Sequence, residues 1–196
     1  MPSKNQSEII QQMSTKEVTL HLIFTQLVLL LIAVVLSLFL FDQPIVEWGL
    51  LLSYTVDEWL LYGVVPGLIV VSVDFLLIFL LPERFYDDGG INKKVFENQT
   101  IVKIILLTLV IAICEEALFR GIIQTQFGYM VASTIFALIH FRYLKKIVLF
   151  LSVIFVSYFI GYMFEVTGSL VVSITAHFMI DSILGVWIYL RNEEAN

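Results

Sequence analysis

The sequence is short of charge. Only 14% of its 196 residues are Asp, Glu, Lys or Arg, against about 25% in ordinary soluble domains. So few charges cannot coat a globular surface of this size. With 59% hydrophobic residues and a mean hydropathy of +0.94, the apolar excess is better explained by lipid contact than by a large core. Cysteine is almost lacking as well. The single Cys114 excludes an intramolecular disulfide, and its place inside an apolar run favours packing. There is no basic patch, and the net charge of −6 argues against a nucleic-acid partner. Internal repeats and low-complexity segments are absent, and one domain suits the length.

What is there is long apolar runs. A spanning helix needs about 20 mainly apolar residues. Six segments are read as spans, at about 18–41, 59–81, 101–120, 129–142, 147–164 and 169–190. The fourth is short; either it tilts, or the third helix runs past Arg120 and forms a tight hairpin with it. The first run follows a polar lead (Lys4, Asn5, Gln6, Lys16) and is too long for a signal-peptide core, so it is expected to be retained. Trp48, Tyr54, Trp59 and Tyr62 flank the start of the second span, and Trp187 and Tyr189 the end of the sixth, as interfacial anchors do. Gly63, Pro66 and Gly67 are expected to kink the second span. The loop 82–100, with Asp87-Asp88-Gly89-Gly90, reads as a solvated turn.

Charge placement supports an even number of spans. Ten of the eleven basic residues fall on one side: Lys4, Lys16, Arg84, Lys93, Lys94, Lys103, Arg142, Lys145, Lys146 and Arg191. The other loops hold Asp42, Glu47, Asp57, Glu58 and Glu165 without Lys or Arg. The positive-inside rule then predicts a multi-pass protein of the cell membrane with both termini in the cytoplasm.

The eleventh basic residue, Arg120, belongs to a different group. Glu115, Glu116, Arg120, His140, His177 and Asp181 all lie in the last four apolar segments. A charge at the bilayer centre costs about 2.5–3.5 kcal/mol even on insertion scales, so these six need partners, water or a function. Glu116 and Arg120, Phe136 and His140, and His177 and Asp181 are each four apart and share a helix face. Glu115 points about 100° away from Glu116. Counting about 1.5 Å per residue brings Glu115 and His177 to similar depth, whereas His140 stays nearer the cytoplasmic end unless the fourth span tilts or starts deeper. A carboxylate, two imidazoles and a further acid around a polar cavity can activate water. Glu115 would be the general base, and the histidines would orient the water, bind a metal or donate to an oxyanion.

The motifs also carry a resemblance. Glu115-Glu116-Ala117-Leu118-Phe119-Arg120 matches EExxxR, Phe136 to His140 matches FxxxH, and His177 to Asp181 matches HxxxN/D. In this order on successive apolar helices they resemble the CPBP family of CAAX proteases and bacteriocin-processing enzymes, also called ABI, over about residues 100–190. The resemblance implies an all-α, polytopic transmembrane bundle of about six spans with a four-helix catalytic core. Residues 1–100 would form the N-terminal tail and two accessory spans, 101–190 the catalytic bundle, and 191–196 a short tail. It further implies an intramembrane endopeptidase. Glu115 would be the base, working with His140; His177 and Asp181 would take the oxyanion positions. Glu116, Arg120 and Phe136 would support the site, and the substrate would be a membrane-associated protein or peptide. Asp181 replaces the Asn of the eukaryotic enzymes, and an ionised Asp cannot donate to an oxyanion. It would be protonated, orient His177, or ligate a metal, so a divalent ion such as zinc on His140, His177 and Asp181 stays open.

Plainer readings stand beside these. The two glutamates could be a helix-end pair neutralised by Arg120, His140 an interfacial histidine beside Arg142, and His177 with Asp181 a structural bond. Asp74 fits snorkelling or a local hydrogen bond, and His21 an interfacial position. Two other functions compete: a non-catalytic membrane binder, such as a bacteriocin self-immunity factor or sensor scaffold, and a proton or ion pathway.

Overall fold

The computed structural model describes residues 6–140, 143 and 146–194. Lys4, Arg142 and Lys145, part of the charge pattern above, lie outside the described residues. The described residues are helical throughout, with no strand. A short α1 (Gln6–Gln12) leads into α2 (Thr15–Leu40). Next come α3 (Pro44–Leu51) and α4 (Val56–Leu80), which includes a π-helical stretch, Trp59–Val64. A 3-10 turn (Glu83–Phe85) precedes α5 (Ile91–Phe96). Helix α6 (Ile101–Glu116) continues through a π-helical stretch, Ala117–Gln124, into Thr125–Phe127. The chain closes with α7 (Tyr129–Ile139), α8 (Ile147–Thr167) and α9 (Leu170–Glu194).

Among the described residues, four helices, α2, α4, α8 and α9, are long and apolar enough to cross a membrane. Their outer faces leave Phe39 and Phe79 80% and 86% exposed, which suits lipid and not water. Polar caps mark where several helices begin. Ser14 and Glu17 cap α2 reciprocally, Thr55 and Glu58 cap α4, and the Thr100 hydroxyl accepts from Lys103 N at the start of α6. These boxes satisfy backbone donors that the first turn leaves open.

The loops that carry the basic residues gather at one end. Gln11 donates to the carbonyls of Gly89 and Gly90, and Lys146 lies 3.9 Å from Asp87. Asp87 and Asp88 accept from the backbone N–H groups of 89–92, which orders the Asp-Asp-Gly-Gly turn and starts α5. At the opposite end, α3 places Trp48 against Gly121.

The predicted fourth span is shorter than expected, and the hairpin reading of the sequence explains it. Helix α6 runs past Arg120 to Phe127, and the chain reverses at Gly128, whose φ of +90° suits glycine. Helix α7 then returns for only 11 residues, about 16 Å at 1.5 Å per residue, roughly half the hydrocarbon thickness. Its packing on α8 is partly polar: Ser157 Oγ donates to the Ser133 carbonyl at 2.9 Å, Ser133 Oγ donates back to the Ser157 carbonyl at 3.4 Å, and the Tyr129 hydroxyl donates to the Tyr158 carbonyl at 2.8 Å.

Helix α4 lies against α9 through glycines four apart. A Cβ at Gly67 would sit 3.1 Å from Met179 Cβ and 3.3 Å from the Ala176 carbonyl oxygen. Gly63 likewise faces the Val172 carbonyl, and Trp59 Nε1 donates to Thr175 Oγ1 at 2.9 Å. In the span where a kink was expected, the structure has π-helical widening ahead of Pro66 and a close helix–helix contact at the glycines, the usual use of small residues in a bilayer. Gly67→Val should therefore destabilise the bundle by about 1–3 kcal/mol, the range for overpacking. Thermal unfolding in detergent should show the loss, whereas Gly49→Val, with open space around it, should show none.

Candidate active site

The site is assembled from α2, α6, α7 and α9, with His177 at its centre. Its Nδ1 lies 2.9 Å from Glu116 Oε1. Its Nε2 faces Asp181 Oδ2 at 3.4 Å and Glu115 Oε2 at 4.0 Å. Three carboxyl groups thus surround one imidazole: one holds Nδ1, and two flank Nε2. The adjacent glutamates reach opposite edges of the ring because consecutive helix residues diverge by about 100°.

Glu116 and Arg120, both fully buried, form the support. Arg120 Nε lies 3.4 Å from Glu116 Oε2, its NH2 donates to the Ser157 carbonyl at 3.1 Å, and its guanidinium sits 4.9 Å from the centre of the Phe136 ring. Burying a guanidinium requires this combination of charge, carbonyl and ring face. Glu116 is also the hydrogen-bond partner of His177, so the acid that the spacing assigns to Arg120 also orients the central histidine.

Gly128 fixes the register of the α6–α7 hairpin. Arg120 and Phe136 each lie eight residues from it, and they stack. Glu116 and His140 each lie twelve residues from it, about 18 Å along their helices. His140 therefore comes level with the glutamates, which settles the depth mismatch read from the sequence. The Phe136 ring is 4.9 Å from His140 and 6.0 Å from His177, between centroids. His140 Nδ1 lies 2.8 Å from the Phe136 carbonyl, an acceptor only, so Nδ1 carries the hydrogen.

Exposure grades across the cluster. The Asp181 side chain is 33% exposed, Glu115 11%, His177 8% and Glu116 none. The cluster therefore opens on its Asp181 edge. Asp74 on α4 is half-buried. His21 is exposed on α2.

Sequence reasoning missed Gln26. It lies 3% exposed on α2 and donates from Nε2 to Glu115 Oε1 at 3.0 Å. The available signal was a lone carboxamide inside a long apolar run. It gains meaning only once α2 is known to pack on α6.

The metal reading finds no support in the arrangement. Among the described residues, no group of three or more His, Cys, Asp or Glu side chains is placed to hold an ion.

This architecture defines a class: a polytopic helical membrane protein with a buried carboxylate–imidazole cluster. Residues 97–183 match the family described as type II CAAX prenyl endopeptidase Rce1-like, which makes this part of the chain similar to that group. The chain is also 51% identical over 122 residues to the "Uncharacterized protein YpbD" of Bacillus subtilis (strain 168). That match takes in 62% of this chain and 65% of the relative, a little under two thirds of its length. No solved structure matches.

Arg120→Met would leave Glu116 buried without its counter-charge, which should cost about 3–5 kcal/mol. Arg120→Met with Glu116→Leu should be more stable than Arg120→Met alone, because no orphan charge remains. Unfolding of the two purified variants checks the order.

Proposed function

We propose that this chain is an intramembrane endopeptidase that hydrolyses a peptide bond in a membrane-associated protein or peptide. The observation that carries the reading is the fixed imidazole of His177, held at Nδ1 by Glu116 while Nε2 faces Glu115 and Asp181. A purely structural ion pair needs one acid per base; here three acids converge on one ring, and a second histidine stands level with them.

In this reading a water enters past Asp181 and sits between Glu115 and His140. Glu115 takes one proton as the oxygen attacks the scissile carbonyl carbon. Nε2 of His140, its hydrogen held on Nδ1, accepts from the same water and aligns it. The carbonyl oxygen becomes an oxyanion. His177, protonated at both nitrogens, donates Nδ1–H to Glu116 and offers Nε2–H to that oxyanion. The C–N bond then breaks, and the proton on Glu115 passes to the leaving amine. Asp181 as a carboxylate is an acceptor only, so its part is to orient Nε2 of His177. Both termini and the basic loops would face the cytoplasm.

The substrate class follows from the site's position. A scissile bond must reach mid-membrane in extended form and enter by the Asp181 edge, which suits a membrane-anchored segment. Comparing membrane proteomes of cells carrying the wild type and Glu115→Ala tests the proposal. Cleavage of the substrate should fall by about 10²–10⁴ while insertion is unchanged. Undiminished processing in the Glu115→Ala cells would instead assign a binding role.

A further inference from the structure

We propose that Gln26 of α2 is a positioning residue for Glu115, so the first spanning helix contributes to the reaction. The inference rests on the hydrolase reading above and deepens it. Gln26 lies outside residues 97–183, the stretch that carries the family match.

Three observations converge. First, Gln26 stands alone. It is the only ionisable or carboxamide side chain of α2 between His21 and the end of the helix at Leu40. An amide in an apolar span is retained against a desolvation cost, so it needs a partner. Second, it has a partner on one side only. Nε2 donates to Glu115 Oε1 at 3.0 Å, while its own Oε1 is buried with no hydrogen-bond partner. A carboxamide kept for packing alone would satisfy both ends; this one is tied to Glu115. Third, the contact divides the work of the Glu115 carboxyl group. Oε1 is occupied by Gln26, which leaves Oε2 as the oxygen that faces His177 Nε2 at 4.0 Å.

A carboxyl group on two flexible side-chain torsions can turn either oxygen toward the cavity. The Gln26 hydrogen bond fixes one orientation before substrate arrives. Glu116 needs no such device, because Arg120 and His177 already engage its two oxygens. Glu115 has no basic residue of its own helix beside it, so its aim depends on a neighbouring helix. Placement of a reacting group to within about 1 Å is worth up to about 10²-fold in rate.

The test uses Gln26→Leu, which keeps the volume and removes the donor, with Gln26→Met as a second variant of unbranched shape. Two readouts are needed. In full-length protein in lipid nanodiscs, the Glu115 carboxyl band is isolated as an infrared difference against Glu115→Gln. It should shift when Gln26 loses its donor; an unshifted band overturns the contact. In cells, the probe is the set of membrane-protein fragments whose appearance is slowed, but still measurable, in Glu115→Gln. Their rate of formation should fall about 10- to 100-fold in Gln26→Leu or Gln26→Met, at unchanged protein level. The double variant Gln26→Leu/Glu115→Gln should be no slower than Glu115→Gln alone, since one residue acts through the other. Further loss in the double variant, as general damage to the fold would give, overturns the inference, as does a normal rate in both Gln26 variants. If no fragment depends on Glu115, the hydrolase reading itself fails. If fragments depend on Glu115 but not on Gln26, only the positioning role fails.

Discussion

The buried contact of Glu116 with Arg120 on one side and His177 on the other is the constraint on which the rest of the site depends. An arginine with no exposure to solvent in a lipid-embedded bundle needs a counter-charge close by. Glu116 supplies the charge, the Ser157 carbonyl accepts one donor, and the Phe136 ring covers a face. That arrangement ties α6 to α7 and α8. Because the same carboxylate also holds His177 Nδ1, it ties α9 to the group as well. One acid thus sets the relative position of four helices and the orientation of the central imidazole. The resulting site is rigid on its inner side and open toward Asp181.

The hairpin at Gly128 adds the second histidine. Since α6 and α7 leave that glycine as antiparallel helices, residues equally far from it along the chain lie level. Phe136 against Arg120 shows the register directly. The glycine sits far from the chemistry, yet the number of residues on either side of it decides whether His140 reaches the depth of the glutamates.

Much of this was legible in the sequence. The apolar runs showed the helices, and the four-residue spacings showed Glu116 beside Arg120 and His177 beside Asp181, because both depend only on the geometry of one helix. The basic loops were correctly placed together, as the contacts of Gln11 and Lys146 show. What was not legible depends on which helix faces which. The Glu116–His177 bond joins residues 61 apart, and the Gln26–Glu115 bond joins residues 89 apart. Periodicity says nothing about such pairs. The depth of His140 turns on where the third helix ends: the apolar run stops at Arg120, but the backbone continues through a π-helical stretch to Phe127, the hairpin alternative that the sequence leaves open. The kink expected at Gly63, Pro66 and Gly67 was a fair reading of residue type; the glycines turned out to serve contact with α9.

The half-length α7 has one more consequence. A helix that stops partway through a bilayer leaves its last carbonyls without intrahelical donors, and hydrocarbon offers none. His140 answers two of them, its ring nitrogen bonding the Phe136 carbonyl and its backbone N–H that of Ala137. The carbonyl of His140 accepts in turn from the backbone N–H of Tyr143, and that of Tyr143 from Lys146, so the short helix hands its acceptors on, turn by turn, toward the end of the bundle where Lys146 meets Asp87. The histidine that closes the helix is thereby gripped by backbone on both sides, which limits how far its ring can swing.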